Sequence, residues 1–182
     1  MARLYLIRHG EAAAGFAGHR DPGLSDLGRE QAHAVARALA SVTQAELYSS
    51  PLARAQETAA PLAELQNRAP QIEPALAEIP SPTDDLAERA RWLREAMSGR
   101  WQALPPAQRA FREALVARLI AQATDAIFFS HFVAINLAVG AATGDDRMHL
   151  FAPDNGSITE LETDGQRLTL IAQGREASTY IN

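Results

Sequence analysis

The apolar run Leu4-Tyr5-Leu6-Ile7 leads without a break into Arg8-His9-Gly10-Glu11. Four residues are too few for a helix, and their β-forming side chains read as a buried strand. A second run, residues 125–130, has the same character and leads into His131. Between and after these runs the apolar residues recur at helical spacing. Ala32, Val35, Ala36 and Leu39 form one such stripe, with Ser25 as its N-cap and His33 and Arg37 left in solvent. Phe111, Leu115, Val116, Leu119 and Ile120 form another, after the break at Pro105-Pro106. Buried strands alternating with helices require a mostly parallel central sheet with helices on both faces, a three-layer α/β/α sandwich. Open sheets of that kind bind ligands at the carboxyl ends of their strands, which is where Arg8-His9 and His131 fall.

The remaining elements follow in order. Residues 12–23 are rich in Gly and Ala and read as a loop. Residues 45–49 form a short strand, and Ser50-Pro51 is read as the N-cap and first-turn proline of the next helix. Arg54 then lies in the opening turn, where backbone N–H groups favour an anion and disfavour a cation. Residues 71–79 read as a strand interrupted by Pro74, with Glu78 at its end. Residues 79–104 read as a helical insertion able to cover the site. Its stripe is Leu86, Ala90, Leu93 and Met97. Arg89, Arg91, Arg94 and Arg100 are either a solvated, salt-bridged face or readers of a second anionic group. Residues 132–139 continue as an apolar helix ending at Gly140 and Gly144. Residues 157–162 and 167–172 alternate as two strands joined by a hairpin turn. The tail from Gly174 to Asn182 is polar and read as loose.

Composition removes several classes of function. The 182 residues suffice for one domain with a full core, and 47% are apolar. There is no cysteine, so disulfides, thiolate metal sites and cysteine nucleophiles are excluded. The formal net charge of -5 argues against a nucleic-acid surface. No apolar run approaches the ~20 residues of a membrane span. No signal-peptide pattern precedes the first strand, so the expectation is a soluble cytoplasmic protein. The five histidines lack metal-ligand spacing. A P-loop and a Gly-x-Ser-x-Gly elbow are also absent, although Ser130 adjoins His131. No metal and no cofactor are expected.

The chemistry of Arg8-His9 is specific. A neutral imidazole is a good nucleophile, and an adjacent guanidinium holds it neutral by repulsion between like charges. The same guanidinium fits a phosphate. Taken alone, the tripeptide is equally compatible with a capping or surface histidine, Arg54 with a solvated arginine, and Glu78 with a surface carboxylate.

Several segments resemble one known family together and in order. Arg8-His9-Gly10-Glu11 resembles the signature of the histidine phosphatase superfamily, which includes the phosphoglycerate mutases. Residues 18–28 (Gly18, Asp21, Leu24 and Gly28 among them) are similar to its second segment, and residues 49–59, with Arg54, to its arginine segment. Leu76-Ala77-Glu78-Ile79 resembles the acid segment, Ser130-His131 the second-histidine segment, and Asn155-Gly156-Ser157 the entry to the late strand. The resemblance implies a single domain over residues 1–182 with a phosphoglycerate mutase-like fold. It also implies a metal-independent phosphatase acting on a small-molecule phosphomonoester. His9 would be the nucleophile that becomes a phosphohistidine. Arg8, Arg54 and His131 would clamp the phosphoryl oxygens, and Glu78 would donate a proton to the leaving oxygen. Alternatives within the family are mutase-type phosphoryl transfer, a phosphohistidine protein phosphatase, and a relative that binds phosphate ligands without turnover. The chain departs from the pattern at Ala12 and Gly15, where many members carry Ser or Thr and Asn. It departs again after Glu78, at Ile79-Pro80-Ser81-Pro82, and after His131, at Phe132-Val133.

Overall fold

The computed structural model describes residues 1–15 and 18–178. The last four residues of the polar tail lie outside the described residues. Six strands form one sheet in the order β3-β2-β4-β1-β5-β6. They are β1 (Ala2–Arg8), β2 (Glu46–Ser49), β3 (Gln71–Ile72), β4 (Ala126–Ser130), β5 (Ile158–Thr163) and β6 (Leu168–Ala172). The pairings β3–β2, β2–β4 and β4–β1 are parallel, while β1–β5 and β5–β6 are antiparallel. The sheet is therefore mixed, its parallel part holding the strands whose ends matter for chemistry. The antiparallel part is the hairpin expected around Gly165, which turns with φ 84°.

Side chains of successive strand residues point to opposite faces, and this alternation divides the core in two. Leu4, Leu6 and Phe128 face one layer, with α4 (Pro106–Ile120) and α5 (Phe132–Thr143). Ile7, Ile127 and Phe129 face the other, with α1 (Asp26–Ala38) and α2 (Ala53–Leu65). β4 is covered on both faces, so all five of its residues are buried and its sequence does not alternate. The three layers are those the sequence predicts.

Several helix ends follow their capping chemistry. Ser25 accepts from the Gly28 N–H and caps α1. Asp85 caps α3 (Leu86–Met97) by accepting from Glu88 N–H. Pro106 opens α4, where its missing N–H costs nothing. α5 runs past Gly140 to Thr143 and ends on Gly144 in the left-handed conformation, φ 72°. Gly140 stays inside the helix because a Cβ there would lie 2.6 Å from the Asp145 carbonyl oxygen. α2 lacks a side-chain cap: its N-cap is Leu52, and the helix starts at Ala53. Ser50 stands two residues before that cap, its hydroxyl shared between the Leu52 N–H and a histidine ring.

The acid segment also differs from the sequence reading. Only Gln71 and Ile72 pair as strand, and Pro74 begins a single 3-10 turn, Pro74–Leu76. Glu73 turns the chain by accepting from the Ala75 N–H, and Pro74 has no N–H to continue the ladder. Glu78 thus lies on a connection rather than at a strand end. That connection is fixed by the buried side chains Leu76 and Ile79, and by the Ser130 hydroxyl, which donates to the Leu76 carbonyl at 2.8 Å.

Candidate active site

The parallel register carries three polar strand ends to one rim. Arg8 pairs with Ser130, and the His9 N–H donates to the Ser130 carbonyl at 3.1 Å. On the other side of β4, the Ser50 N–H donates to the Phe129 carbonyl at 2.9 Å. Residues 8–9, 50 and 130–131 therefore stand side by side. The loop leading into β5 closes the far side: the Gly156 N–H donates to the Arg8 carbonyl, and Asn155 Nδ2 donates to the His9 carbonyl, each at 3.0 Å.

The turn after His9 demands glycine. A Cβ on Gly10 would lie 2.4 Å from the carbonyl oxygen of Gly28, and one on Gly28 would lie 2.1 Å from that of Glu11. The start of α1 thus packs backbone to backbone on the loop carrying the histidine. Thr58 ties the same loop to α2. Its hydroxyl donates to the Arg54 carbonyl at 2.6 Å and accepts from the Gly10 N–H at 2.9 Å.

His9 is buried, at 7% exposure, and its tautomer follows from its contacts. Nδ1 lies 2.6 Å from the Gly10 carbonyl, which can only accept, so Nδ1 carries the proton. Nε2 is left with its lone pair, which accepts from the Arg54 Nε–H at 3.1 Å. Burial, then the Arg54 and Arg8 charges, push the His9 pKa down to about 3. At neutral pH the ring is neutral, with one unprotonated nitrogen, the form a nucleophile requires.

Two guanidiniums flank it, Arg8 at 7% exposure and Arg54 at 6%. Arg8 donates from Nη1 to the Pro153 carbonyl at 2.8 Å and stacks over Phe132 at 5.3 Å, while its Nε finds no acceptor among the described residues. Burial lowers its pKa to about 10, which leaves it charged. The Arg54 Nη1 lies 3.9 Å from Asp21 Oδ1, an oxygen that already accepts from the Ala53 N–H at 2.9 Å. Buried cations with so little direct compensation are costly unless an anion joins them.

His131 is fully buried, and its ring centroid lies 5.2 Å from that of His9. Its Nε2 is 2.8 Å from the Ser50 hydroxyl, and its Nδ1 has no partner among the described residues. Burial chiefly, with the neighbouring His9 and arginines, holds its pKa well below the ordinary value. Glu78 keeps partial exposure at the mouth yet is ringed by protein. Burial pushes its pKa up, against the attraction of Arg54, the Ile79 N–H on its Oε1 at 3.0 Å, Arg8 and Arg89. The structure thus brings Arg8, His9, Arg54, Glu78 and His131 to one rim.

The arginines of α3 separate. Arg91 and Arg94 are exposed, whereas Arg89 is half-buried and its charge acts on Glu78 and His131. The insertion also meets the loop after β1: Arg20 Nη2 reaches the Asp84 carbonyl and its carboxylate, each at 3.2 Å. Sequence reasoning missed the roles of Ser50, Thr58 and Asn155. Each carries a short polar side chain inside a segment read for its turn or its arginine, and their partners are far away in sequence. Among the described residues, no group of three or more His, Asp or Glu side chains is placed to hold a metal ion. No helix among them is long and apolar enough to cross a membrane.

Comparison with known proteins adds the following. The family model described as "Histidine phosphatase superfamily (branch 1)" matches residues 4–175. A Mycobacterium tuberculosis protein described as "PE-PGRS family protein PE_PGRS11" is 46% identical over 80 residues, covering 41% of this chain and 14% of that protein. A "Probable phosphoglycerate mutase GpmB" from Yersinia pestis is 32% identical over 110 residues, 54% of this chain and 51% of its own length. The chain therefore matches about half or less of the length of these curated relatives. The solved mycobacterial glucosyl-3-phosphoglycerate phosphatase, complexed with VO3, superposes with a TM-score of 0.75 at 24% identity, covering 97% of this chain and all of the other. At that identity the likeness establishes the fold.

Proposed function

This chain belongs to branch 1 of the histidine phosphatase superfamily, and from that premise we propose that it is a metal-independent phosphomonoesterase that works through a phosphohistidine on His9. The observation that carries the reading is the state of His9. It is a buried, neutral imidazole with its proton fixed on Nδ1, its Nε2 lone pair accepts from the buried Arg54, and the buried Arg8 charge also acts on the ring.

A phosphomonoester dianion displaces Arg54 Nε from His9 Nε2 and draws both guanidiniums onto its oxygens. Nε2 attacks phosphorus in line while the bond to the ester oxygen breaks. Glu78, whose burial favours the protonated carboxyl, donates its proton to the departing alkoxide. Arg8, Arg54 and His131 stabilise the charge spread over the phosphoryl oxygens, which is most of what a phosphoryl transition state requires. The ionised Glu78 then takes a proton from water, whose oxygen attacks phosphorus. The N–P bond breaks and returns the lone pair to Nε2, and inorganic phosphate leaves. Positive charge from side chains fills the place that metal ions take in other phosphoryl-transfer enzymes.

The whole chain acts as one domain, and residues 79–104 cap the site over a small-molecule substrate. The contact of Arg20 with Asp84 and the reach of the Arg89 charge to Glu78 support this arrangement. The match to GpmB favours a second reading, transfer of the phosphoryl group to an alcohol acceptor such as phosphoglycerate rather than to water.

The test is phosphate release from an aryl phosphate in the presence of a chelator, for wild type and His9→Ala in parallel, with trapping of labelled protein by an alkaline denaturing quench. Turnover and an acid-labile, base-stable phosphoprotein in wild type alone are expected. Turnover by the His9→Ala protein would overturn the nucleophile assignment. Transfer to phosphoglycerate outpacing release to water would favour the mutase reading.

A further inference from the structure

His131 needs a second residue to be useful, and the structure supplies it. A side chain that stabilises a phosphoryl oxygen must present a hydrogen, yet a neutral imidazole has one N–H and one lone pair. Which nitrogen carries the hydrogen is decided by the partner of the other. Here the partner is the Ser50 hydroxyl, 2.8 Å from Nε2.

The hydroxyl has one donor and two acceptor sites. One acceptor site is taken by the Leu52 N–H at 3.2 Å. If Nε2 carried the proton, Ser50 would accept twice and its own O–H would have no acceptor among the described residues. The His131 Nδ1 would also be left with a buried, unpaired lone pair and no hydrogen to offer. If instead Ser50 donates to Nε2, the hydroxyl is satisfied in both directions and Nδ1 carries the hydrogen. Nδ1 is the nitrogen without a partner among the described residues. We infer that Ser50 is a positioning residue that holds His131 as the Nδ1–H tautomer and so presents a fixed donor to the substrate.

The placement of Ser50 suits the task. It is fully buried, and its backbone is clamped between β2 and the end of β4, its N–H on the Phe129 carbonyl and its own carbonyl accepting from the Ser49 hydroxyl at 2.9 Å. The depressed pKa of His131 supports a single proton on the ring. The purpose assigned to the donor rests on the phosphatase reading above, whereas the tautomer itself does not.

The experiment is long-range 1H–15N correlation NMR of the histidine-labelled full chain at neutral pH, without ligand, with the His131 resonances assigned by their loss in His131→Gln. The expected wild-type pattern is a pyrrole-type Nδ1 and a pyridine-type Nε2. The reverse pattern overturns the inference even if the protein is an active phosphatase. Ser50→Ala should mix or invert the tautomer and lower kcat on an aryl phosphate by about 10- to 100-fold, the range for losing a partner that orients a functional imidazole. Ser50→Thr keeps the hydroxyl and should restore both readouts. Ser50→Ala with an unchanged tautomer, or with unchanged kcat in an active enzyme, refutes the inference. An expected tautomer in a protein without turnover would count against the phosphatase reading alone. Should Ser50→Ala fail to fold, the wild-type spectrum still decides the tautomer.

Discussion

Holding His9 neutral has a cost in stability that can be measured. Its pKa falls from the ordinary 6.5 to about 3 on folding. Between those values the unfolded chain binds a proton at this site and the folded chain does not. Stability therefore rises with pH across the window, and it is lost as pH falls below 6.5. At pH 5, 1.5 pH units below the unfolded value, the penalty is about 2 kcal/mol; at pH 7.5 it is close to zero. His9→Gln removes the titrating group. Urea unfolding of both proteins at pH 7.5 and pH 5 reads its contribution, because the other titrating groups are present in both and the pH-independent cost of the substitution cancels in the difference. Wild type should lose about 2 kcal/mol more than the variant on acidification. Parallel losses would mean that His9 takes up a proton in the folded state, and the argument for a neutral nucleophile capped by Arg54 would fail.

Three further outcomes follow from the geometry. Glu78→Gln should remove the alkaline limb of the kcat–pH profile, because the wild-type rate falls as pH rises through the raised Glu78 pKa; it should also slow esters of poor leaving groups most. Retention of that limb would assign it to another group. Arg54→Ala should lower kcat/KM for an aryl phosphate by about 10²- to 10³-fold, by analogy with loss of one oxyanion donor, and an unchanged value would remove Arg54 from the site. Gly10→Ala should destabilise the fold by at least about 1–3 kcal/mol in urea unfolding, because its Cβ would sit 2.4 Å from a backbone oxygen; a wild-type midpoint would contradict the packing described.

What could be read from the sequence depended on how local the signal was. Arg8-His9 and His131 were legible because each follows an apolar run long enough to define a strand, and parallel strands end on one rim. Glu78 was placed near the site, but its setting was misread. The apolar residues Leu76 and Ile79 look like strand residues, whereas they serve as anchors of a connection that Pro74 had already taken out of the sheet. Ser50-Pro51 resembled a helix entry, yet the Ser50 hydroxyl bonds a histidine 81 positions away, and no local pattern encodes such a distance. The same holds for Asn155, 146 positions from His9. The α3 arginines share one charge and lie at different angles round the helix, and the packing of the helix leaves Arg89 half-buried with its charge on Glu78 while Arg91 and Arg94 are exposed.

The bond from Arg54 Nε to His9 Nε2 has a further consequence, for chemical selectivity. In the resting protein the one lone pair able to react is masked by the guanidinium that a phosphoryl group would claim. A neutral electrophile offers that guanidinium nothing and meets an occupied nitrogen, whereas a phosphate dianion unmasks the nitrogen by drawing the arginine away. Substrate charge thereby becomes the key that arms the nucleophile. A neutral acylating reagent should modify His9 slowly in wild type and faster once Arg54 is replaced by alanine; equal rates would show that the mask has no effect.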